Sequence, residues 1–184
     1  MTPPIPSSVY FGPFLVTPQV FHLTPLSFAL VNLKPLLPGH VLVSSTRRVP
    51  RLRDLTLREI SDFWATVHRV SRTIERVYQA DGMNVAVQDG AAAGQSVPHV
   101  HCHIIPRRLK DLDERGGSDR IYDMLDGEEG DLVAQLVERG RRERFTGPDN
   151  EERVARGEEE MNKEAEWLKE EMEKDAEPEQ EVEG

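Results

Sequence analysis

The chain of 184 residues lacks the features that mark several classes of protein. It has one cysteine, Cys102, so it cannot form an internal disulfide framework. With 30% charged residues and a mean hydropathy of -0.54, it has no run near the roughly 18 apolar residues of a membrane span. Its N-terminus lacks the basic and apolar segments of a secretory signal. We therefore expect no membrane partner and an intracellular protein, in the cytoplasm first and in the nucleus as a second compartment.

An excess of positive charge is also missing. Residues 158–184 hold 13 acidic and 3 basic residues, which leaves 20 of each in residues 1–157. A nucleic-acid-binding chain carries Lys and Arg that neutralise phosphates, so we expect no nucleic-acid partner. The composition predicts one domain over 1–157, followed over 158–184 by an acidic helix end and a disordered tail with too few apolar residues to fold.

Short runs of strand-forming residues, separated by Pro and Gly turns, fill the first half of the chain. They predict strands at 9–11, 14–16, 28–33, 40–44, 83–88 and 97–106. Mostly no helix separates these strands, so the pattern favours an α+β fold with an antiparallel sheet over a βαβ array.

One long amphipathic helix of about 24 residues is predicted after a cap at Thr56 or Asp54. Short helices are expected at 121–125 and 132–139, and a charged helix at 151–174. The expected inward face of the long helix is Leu57, Ile60, Trp64, Val67, Val70 or Ser71, Ile74 and Val77. The expected contacts of the last helix are Val154, Met161, Trp167, Leu168 and Met172.

The predicted strand 97–106 carries three histidines at alternate positions. Successive side chains of a strand point to opposite faces, so His99, His101 and His103 are predicted to share one face. The intervening residues, Cys102 among them, form an apolar face that suits a core. An imidazole near neutral pH can act as a nucleophile, general acid or metal ligand, so the histidine face is the candidate site.

Metal binding and phosphate chemistry are the two alternatives for this face. Three histidines can hold a catalytic zinc, but alternate residues of one strand rarely converge on one ion, and no carboxylate cluster lies nearby in the sequence. We therefore predict no metal held by the protein. The small residues at 90–97 are typical of a loop whose N–H groups bind an anion, and a neutral imidazole can attack phosphorus. The chain lacks the Gly-x-x-x-x-Gly-Lys-Ser/Thr motif of P-loop enzymes.

The segment QSVPHVHCHIIPR at 95–107 resembles the signature of the histidine triad (HIT) family. The runs SFALVN at 27–32, PGHVLV at 38–43 and QDG at 88–90 are similar to the fragile histidine triad branch, the dinucleoside polyphosphate hydrolases. The resemblance implies a HIT-like antiparallel sheet with one long helix and a C-terminal helix. It also implies that 1–157 is a hydrolase domain and that the protein is a homodimer whose sheets join.

The activity that the resemblance implies is hydrolysis of diadenosine triphosphate to AMP and ADP through a nucleotidyl-histidine intermediate. His101 would be the nucleophile and His103 would assist the leaving group. His99 and His40 would orient the site. Ribose and phosphates would be bound by Asn32, Gln88, Gly94, Gln95, Ser96, Val97 and His103. We expect Mg²⁺ or Mn²⁺ only as ions that accompany the substrate.

Other functions stay open at this point. In the uridylyltransferase branch of the family a glutamine replaces the third histidine, whereas this chain has His103. In the phosphoramidase branch a Gly-Gly turn follows the strand, which this chain lacks. Phe14 stands where close relatives often carry a polar residue, and this departure affects the expected base preference. A nucleotide-sensing protein that acts as its substrate complex is the alternative outside the enzymes, based on Tyr122 and the acidic tail.

Overall fold

The computed structural model describes Pro6, residues 8–127, Val137 and residues 157–175. Except for Val137, the predicted helix at 132–139 lies outside the described residues, as do residues 151–156 and the tail from 176 onward. Within the described residues, no helix is both long enough and apolar enough to cross a bilayer.

Two antiparallel sheets form the framework. A hairpin of β1 (Tyr10–Phe11) and β2 (Phe14–Leu15) lies beside a five-stranded sheet of order β3-β4-β5-β7-β6. The five strands are β3 (Val20–Leu23), β4 (Ser27–Val31), β5 (Val41–Ser45), β6 (Gly82–Ala86) and β7 (His101–Arg107). The predicted antiparallel α+β architecture is confirmed, although β3 was not predicted as a strand.

Helix α1 (Leu57–Tyr78) begins at the capping residue Thr56. The Thr56 side chain accepts a hydrogen bond from the Glu59 N–H, and the Glu59 carboxylate accepts one from the Thr56 N–H. Each bond satisfies a backbone donor that the first helical turn leaves unpaired. Thr56, rather than Asp54, is therefore the cap.

The predicted inward face of α1 is wrong in its N-terminal half. Leu57 is 86% exposed and Trp64 is 42% exposed, whereas Phe63 is completely buried. Phe63, Val67, Val70 and Ile74 repeat at helical spacing and face the sheet. Leu57 and Trp64 lie beside this stripe, because one position along a helix rotates a side chain by about 100°.

Two further helices follow the sheet. Helix α2 (Arg120–Asp126) confirms the prediction at 121–125, and it packs Ile121, Met124 and Leu125 against Ile105 of β7. Helix α3 (Glu158–Lys174) is strongly charged.

Helix α3 nevertheless packs into the main core. Its buried residues join the cluster formed by α1 and the sheet; they are Met161, Ala165, Leu168 and Met172. Arg76 of α1 binds Glu171 at 2.7 Å and Asp175 at 2.9 Å. Trp167 is 39% exposed and contacts Tyr78 edge to face. The predicted boundary at residue 157 marks a change in the charge of the chain. Helix α3, which lies beyond that boundary, packs into the same core as α1 and the sheet.

Candidate active site

The histidine segment is only partly a strand. Strand β7 begins at His101, so the prediction that His99 shares this strand is wrong. The His99 N–H bonds to the Val97 carbonyl across a tight turn, and Pro98 between them has no N–H with which to join a sheet ladder. His99, His101 and His103 are all buried, but His99 reaches its position from the turn before the strand.

From residue 101 onward the predicted alternation is confirmed. In the antiparallel register His101 lies opposite Ser44 and His103 opposite Leu42. Cys102 lies opposite Val43, and both belong to the core against α1. Burial raises the pKa of the Cys102 thiol to about 12, so Cys102 is a neutral core residue.

The proton on His101 can be placed from its hydrogen bond. Its Nδ1 atom lies 2.7 Å from the carbonyl oxygen of His99. A carbonyl only accepts hydrogen bonds, so Nδ1 carries the proton and Nε2 carries a lone pair. Nε2 is buried and has no hydrogen-bond partner among the described residues. Burial lowers the pKa of His101 to about 4, so the ring is neutral at pH 7 and Nε2 can act as a nucleophile.

His103 has the opposite tautomer. The Leu36 N–H donates to Nδ1 of His40 at 3.1 Å, so Nε2 of the neutral His40 ring carries the proton. That proton is donated to Nδ1 of His103 at 3.0 Å, which leaves the His103 proton on Nε2. Nε2 of His103 is also without a partner among the described residues. Burial lowers the pKa of His103 well below its ordinary value, and the neutral ring presents an N–H donor.

His99 connects three parts of the site. Its Nδ1 accepts from the Gly12 N–H at 3.1 Å, and its Nε2 donates to the Ser45 carbonyl at 2.7 Å. The Phe11 ring stacks on His99 and meets His101 edge to face, with centroids 5.6 Å and 5.1 Å apart. Burial lowers the pKa of His99 to about 4. With both ring nitrogens in use, His99 positions the His101 ring through its own carbonyl.

The glycine-rich loop is a compact turn. Ala91–Ala93 form a short 3-10 helix between Gly90 and Gly94, whose φ angles are 107° and 82°. The N–H groups of Gly94 and Gln95 bond to carbonyls within this turn. The loop therefore keeps the left-handed glycines that the anion-binding prediction requires, but two of its predicted donors are engaged in holding its shape.

Side chains tie this loop to the segment after β5. Gln95 accepts from the Gly90 N–H at 2.8 Å and donates to the Pro50 carbonyl at 2.7 Å. Asp89 accepts from the Leu52 N–H at 2.9 Å and pairs with Arg51 at 3.0 Å. The Arg51 guanidinium lowers the pKa of the Asp89 carboxyl. These contacts fix the loop relative to the sheet.

Gln88 and Gly94 are brought together, as the predicted phosphate site requires. A Cβ atom on Gly94 would lie only 2.5 Å from Nε2 of Gln88 and 3.2 Å from a carboxylate oxygen of Asp126. Nε2 of Gln88 donates to the Leu125 carbonyl at 3.3 Å and to Asp126 at 3.4 Å. Asp126, the last residue of α2, was missed by the sequence analysis because it lies 38 residues from Gln88 with no motif around it.

The remaining predicted residues lie in two other segments: Asn32 directly follows β4, and Ser96 and Val97 precede the turn at His99. Asn32 is buried at the end of β4, where its side-chain oxygen accepts from the Lys34 N–H at 3.3 Å. Val97 is fully buried and packs against Gly12. Ser96 is half-buried between Gln95 and Val97. The ribose and phosphate roles of these residues stay predictions.

The described part of the chain has no group of three or more His, Cys, Asp and Glu side chains arranged to hold a metal ion. Both ring nitrogens of His99 already bond to backbone groups of the protein, so neither nitrogen is free to bind a metal ion.

Comparisons with known proteins identify relatives over most of the chain. The family model described as HIT domain matches residues 16–110. A protein of Schizosaccharomyces pombe named bis(5'-nucleosyl)-tetraphosphatase (asymmetrical) is 48% identical over 177 residues, covering 90% of this chain and 94% of the relative. A protein of Arabidopsis thaliana named bifunctional bis(5'-adenosyl)-triphosphatase/adenylylsulfatase FHIT is 50% identical over 131 residues, 71% of each chain.

Solved structures agree with the described fold. The Plasmodium falciparum diadenosine triphosphate hydrolase, in complex with cyclomarin A, has a TM-score of 0.67 at 26% identity, with coverage of 92% of this chain and 86% of that one. The NitFhit protein of Caenorhabditis elegans has a TM-score of 0.64 at 32% identity; the match covers 89% of this chain but only 30% of that longer chain. The predicted resemblance is confirmed, and this chain belongs to the HIT domain family.

Proposed function

We propose that this chain hydrolyses dinucleoside polyphosphates, with diadenosine triphosphate as a substrate, through a covalent nucleotidyl intermediate on His101. The observation that carries the proposal is the pair of buried imidazoles with opposite tautomers. His101 presents a lone pair and His103 presents an N–H donor, and their ring centroids are 5.1 Å apart. The names of the relatives from S. pombe and A. thaliana support the same substrate class.

In the first step, Nε2 of His101 attacks the α-phosphorus. The new P–N bond forms as the bond to the bridging oxygen breaks, and ADP leaves as an anion that accepts a hydrogen bond from Nε2 of His103. The His101 ring becomes cationic in the intermediate. Its Nδ1–H points at the His99 carbonyl, which stabilises that charge.

In the second step, water attacks the same phosphorus. The P–N bond breaks, AMP leaves with the oxygen of the water, and the protons of the water pass to AMP and to solvent. His101 returns to its neutral form with its own proton still on Nδ1. Attack at the α-phosphorus yields AMP from a triphosphate or a tetraphosphate bridge, with ADP or ATP as the second product. The identity of the products from the tetraphosphate identifies the bond that is cleaved, because symmetrical cleavage would give two ADP.

The test is chromatography of products after incubation of the purified protein with diadenosine triphosphate, diadenosine tetraphosphate and adenosine phosphoramidate. We expect equimolar AMP and ADP from the triphosphate. The variant His101→Asn should lose turnover but keep nucleotide binding, because Asn cannot form the covalent intermediate. Cleavage of the phosphoramidate alone would assign the protein to a phosphoramidase function instead. Undiminished hydrolysis by His101→Asn would contradict the assigned nucleophile.

We also propose a cytoplasmic homodimer whose divalent cation, Mg²⁺ or Mn²⁺, arrives with the substrate. The resemblance to the family and the position of β6 at the sheet edge, where Val85 is 44% exposed, support the dimer. Sedimentation equilibrium should give twice the chain mass, and a monomer at micromolar concentration would contradict the proposal.

A further inference from the structure

His40, the residue that bonds to His103, stands at the end of a tight turn in the β4–β5 connection. Its N–H donates to the Leu37 carbonyl at 3.1 Å, with Pro38 and Gly39 between them. Gly39 has a φ angle of 83°. A proline followed by a left-handed glycine is typical of a type II β-turn. The position of the His40 ring, and with it the hydrogen bond to His103, therefore depends on where this turn is held.

The ring of Tyr78, the last residue of α1, lies directly against the turn. A Cβ atom on Gly39 would be only 2.6 to 2.8 Å from three carbon atoms of that ring. The ring therefore contacts the backbone of the turn, with no side chain between them. Glycine is required at position 39 both by its φ angle and by this close approach.

Two residues of α3 hold the Tyr78 ring in place. The Tyr78 hydroxyl donates to the Glu164 carboxylate at 2.7 Å, and Trp167 meets the ring edge to face with centroids 5.6 Å apart. The Tyr78 carbonyl accepts from the Arg108 guanidinium at 2.6 Å. Arg108 directly follows β7, the strand that carries His103. Tyr78 thus joins α3, the turn before β5 and the end of the histidine strand.

We propose that Tyr78 is a positioning residue, through which α3 holds the Leu37–His40 turn and so the hydrogen bond from His40 to His103. This inference rests on the proposed function, in which His103 donates to the departing ADP. A ring packed on backbone passes its own position to the turn, because a packed interior has few voids into which the turn can relax. Helix α3 lies beyond residues 16–110, which match the HIT domain, and it thereby contributes to the geometry of the active site.

The experiment compares the wild type with Tyr78→Phe, which removes the hydroxyl, and Tyr78→Leu, which removes the ring. Thr73→Val is the matched control, because the Thr73 hydroxyl also ties α1 to α3, at 2.8 Å from Asp175, but lies five residues before Tyr78. We expect kcat for diadenosine triphosphate to fall about threefold in Tyr78→Phe and about tenfold in Tyr78→Leu, with little change in KM. The control should keep the wild-type kcat.

Nitrogen-15 NMR of the histidine rings tests the inference without turnover. In the substrate-free wild type at neutral pH, Nδ1 of His103 accepts a hydrogen bond from His40 and carries no proton. We expect its signal to move toward that of a nitrogen without a hydrogen bond in Tyr78→Leu, by less in Tyr78→Phe, and not in Thr73→Val. The variant His103→Asn assigns the signal. Tyr78→Phe keeps the ring and decides the question if Tyr78→Leu does not fold.

An unchanged His103 signal in the folded Tyr78 variants would overturn the inference, whatever their kcat. Equal changes of kcat and of the signal in Thr73→Val would also overturn it, because a general loosening of α3 would then explain the effect. Absence of AMP from the wild type would instead contradict the proposed function. The NMR signals would still decide in that case whether Tyr78 positions the histidine pair.

Discussion

The Nε2 atom of His40 lies 3.0 Å from the Nδ1 atom of His103, and this contact determines which His103 nitrogen carries the proton. Because the Leu36 N–H occupies the other nitrogen of His40, the backbone of the β4–β5 connection defines the tautomer of a ring 67 residues further along the chain. The leaving-group donor is thus prepared before any substrate binds.

Replacement of His40 should therefore impair the chemical step more than binding. We expect His40→Asn to lower kcat about 100-fold with little change in KM, because His103 is no longer held with its proton on Nε2. Steady-state kinetics check this, with circular dichroism to verify the fold. A raised KM at unchanged kcat would show that His40 acts on binding instead.

Acid should destabilise the folded protein through its buried histidines. The pKa of His22 is lowered from 6.5 to about 4, mainly by burial and also by the nearby Arg69, against the opposing effect of Asp62. Between these values the unfolded chain binds more protons than the folded chain. Stability is thus complete above pH 6.5 and falls as the pH drops toward 4.

A substitution separates His22 from the other buried histidines. Neither ring nitrogen of His22 has a hydrogen-bond partner among the described residues. We expect His22→Leu to raise the free energy of unfolding by about 1 kcal/mol at pH 7 and by more at pH 5. Urea unfolding at both values measures this, with the exposed His68→Gln as control. Equal changes at pH 5 and pH 7 would contradict the titration of His22.

Gly94 combines a left-handed backbone with a close approach to Gln88, and three alanine variants separate the two effects. Gly94→Ala should lose about 1–2 kcal/mol of stability from the backbone term and also raise KM, because Cβ displaces the Gln88 amide. Gly116→Ala has a similar φ of 108° but open space, so it should cost stability alone. Gly82 has neither a positive φ nor a close neighbour, so Gly82→Ala should change neither stability nor KM. Kinetics and urea unfolding of the three variants provide the comparison, and an unchanged KM in Gly94→Ala would contradict the packing argument.

Cys102 should not react in the folded protein. It is fully buried, and burial raises the pKa of its thiol to about 12, so almost no thiolate exists at pH 8. We expect iodoacetamide to label the protein only in urea, at one site. Mass spectrometry over a time course measures the reaction, and rapid labelling in native buffer would reveal opening of the sheet near the histidines.

Local sequence patterns predicted most of the helices and strands, but not the buried face of α1 or the residue at which β7 begins. The Thr56 cap and the helical period placed α1 correctly. The face was misplaced at Leu57 and Trp64, because large apolar residues also occur on an exposed side of this helix. The alternation of histidines predicted a strand through His99, but Pro98 prevents the ladder from extending that far.

The parts of the site that depend on distant contacts were not predictable from local sequence. The tautomer of His103 depends on His40, 63 residues away, and no pattern in either segment reveals the hydrogen bond. Asp126 meets Gln88 only because α2 packs on β7 through Ile105 and its neighbours. Such relationships require the folded chain, because they arise from tertiary packing rather than from spacing.

The contact between Thr73 and Asp175 joins residues 102 positions apart, and Met161 and Leu168 fill the same core as α1. During synthesis on the ribosome the sheet and α1 therefore emerge long before the helix that covers them. The nascent chain must shield an apolar surface for that interval, either by transient contacts or with the help of a chaperone. Helix α3, with its acidic outer side, completes the core as a late step in folding. A chain truncated before residue 158 would leave that apolar surface exposed and prone to aggregation.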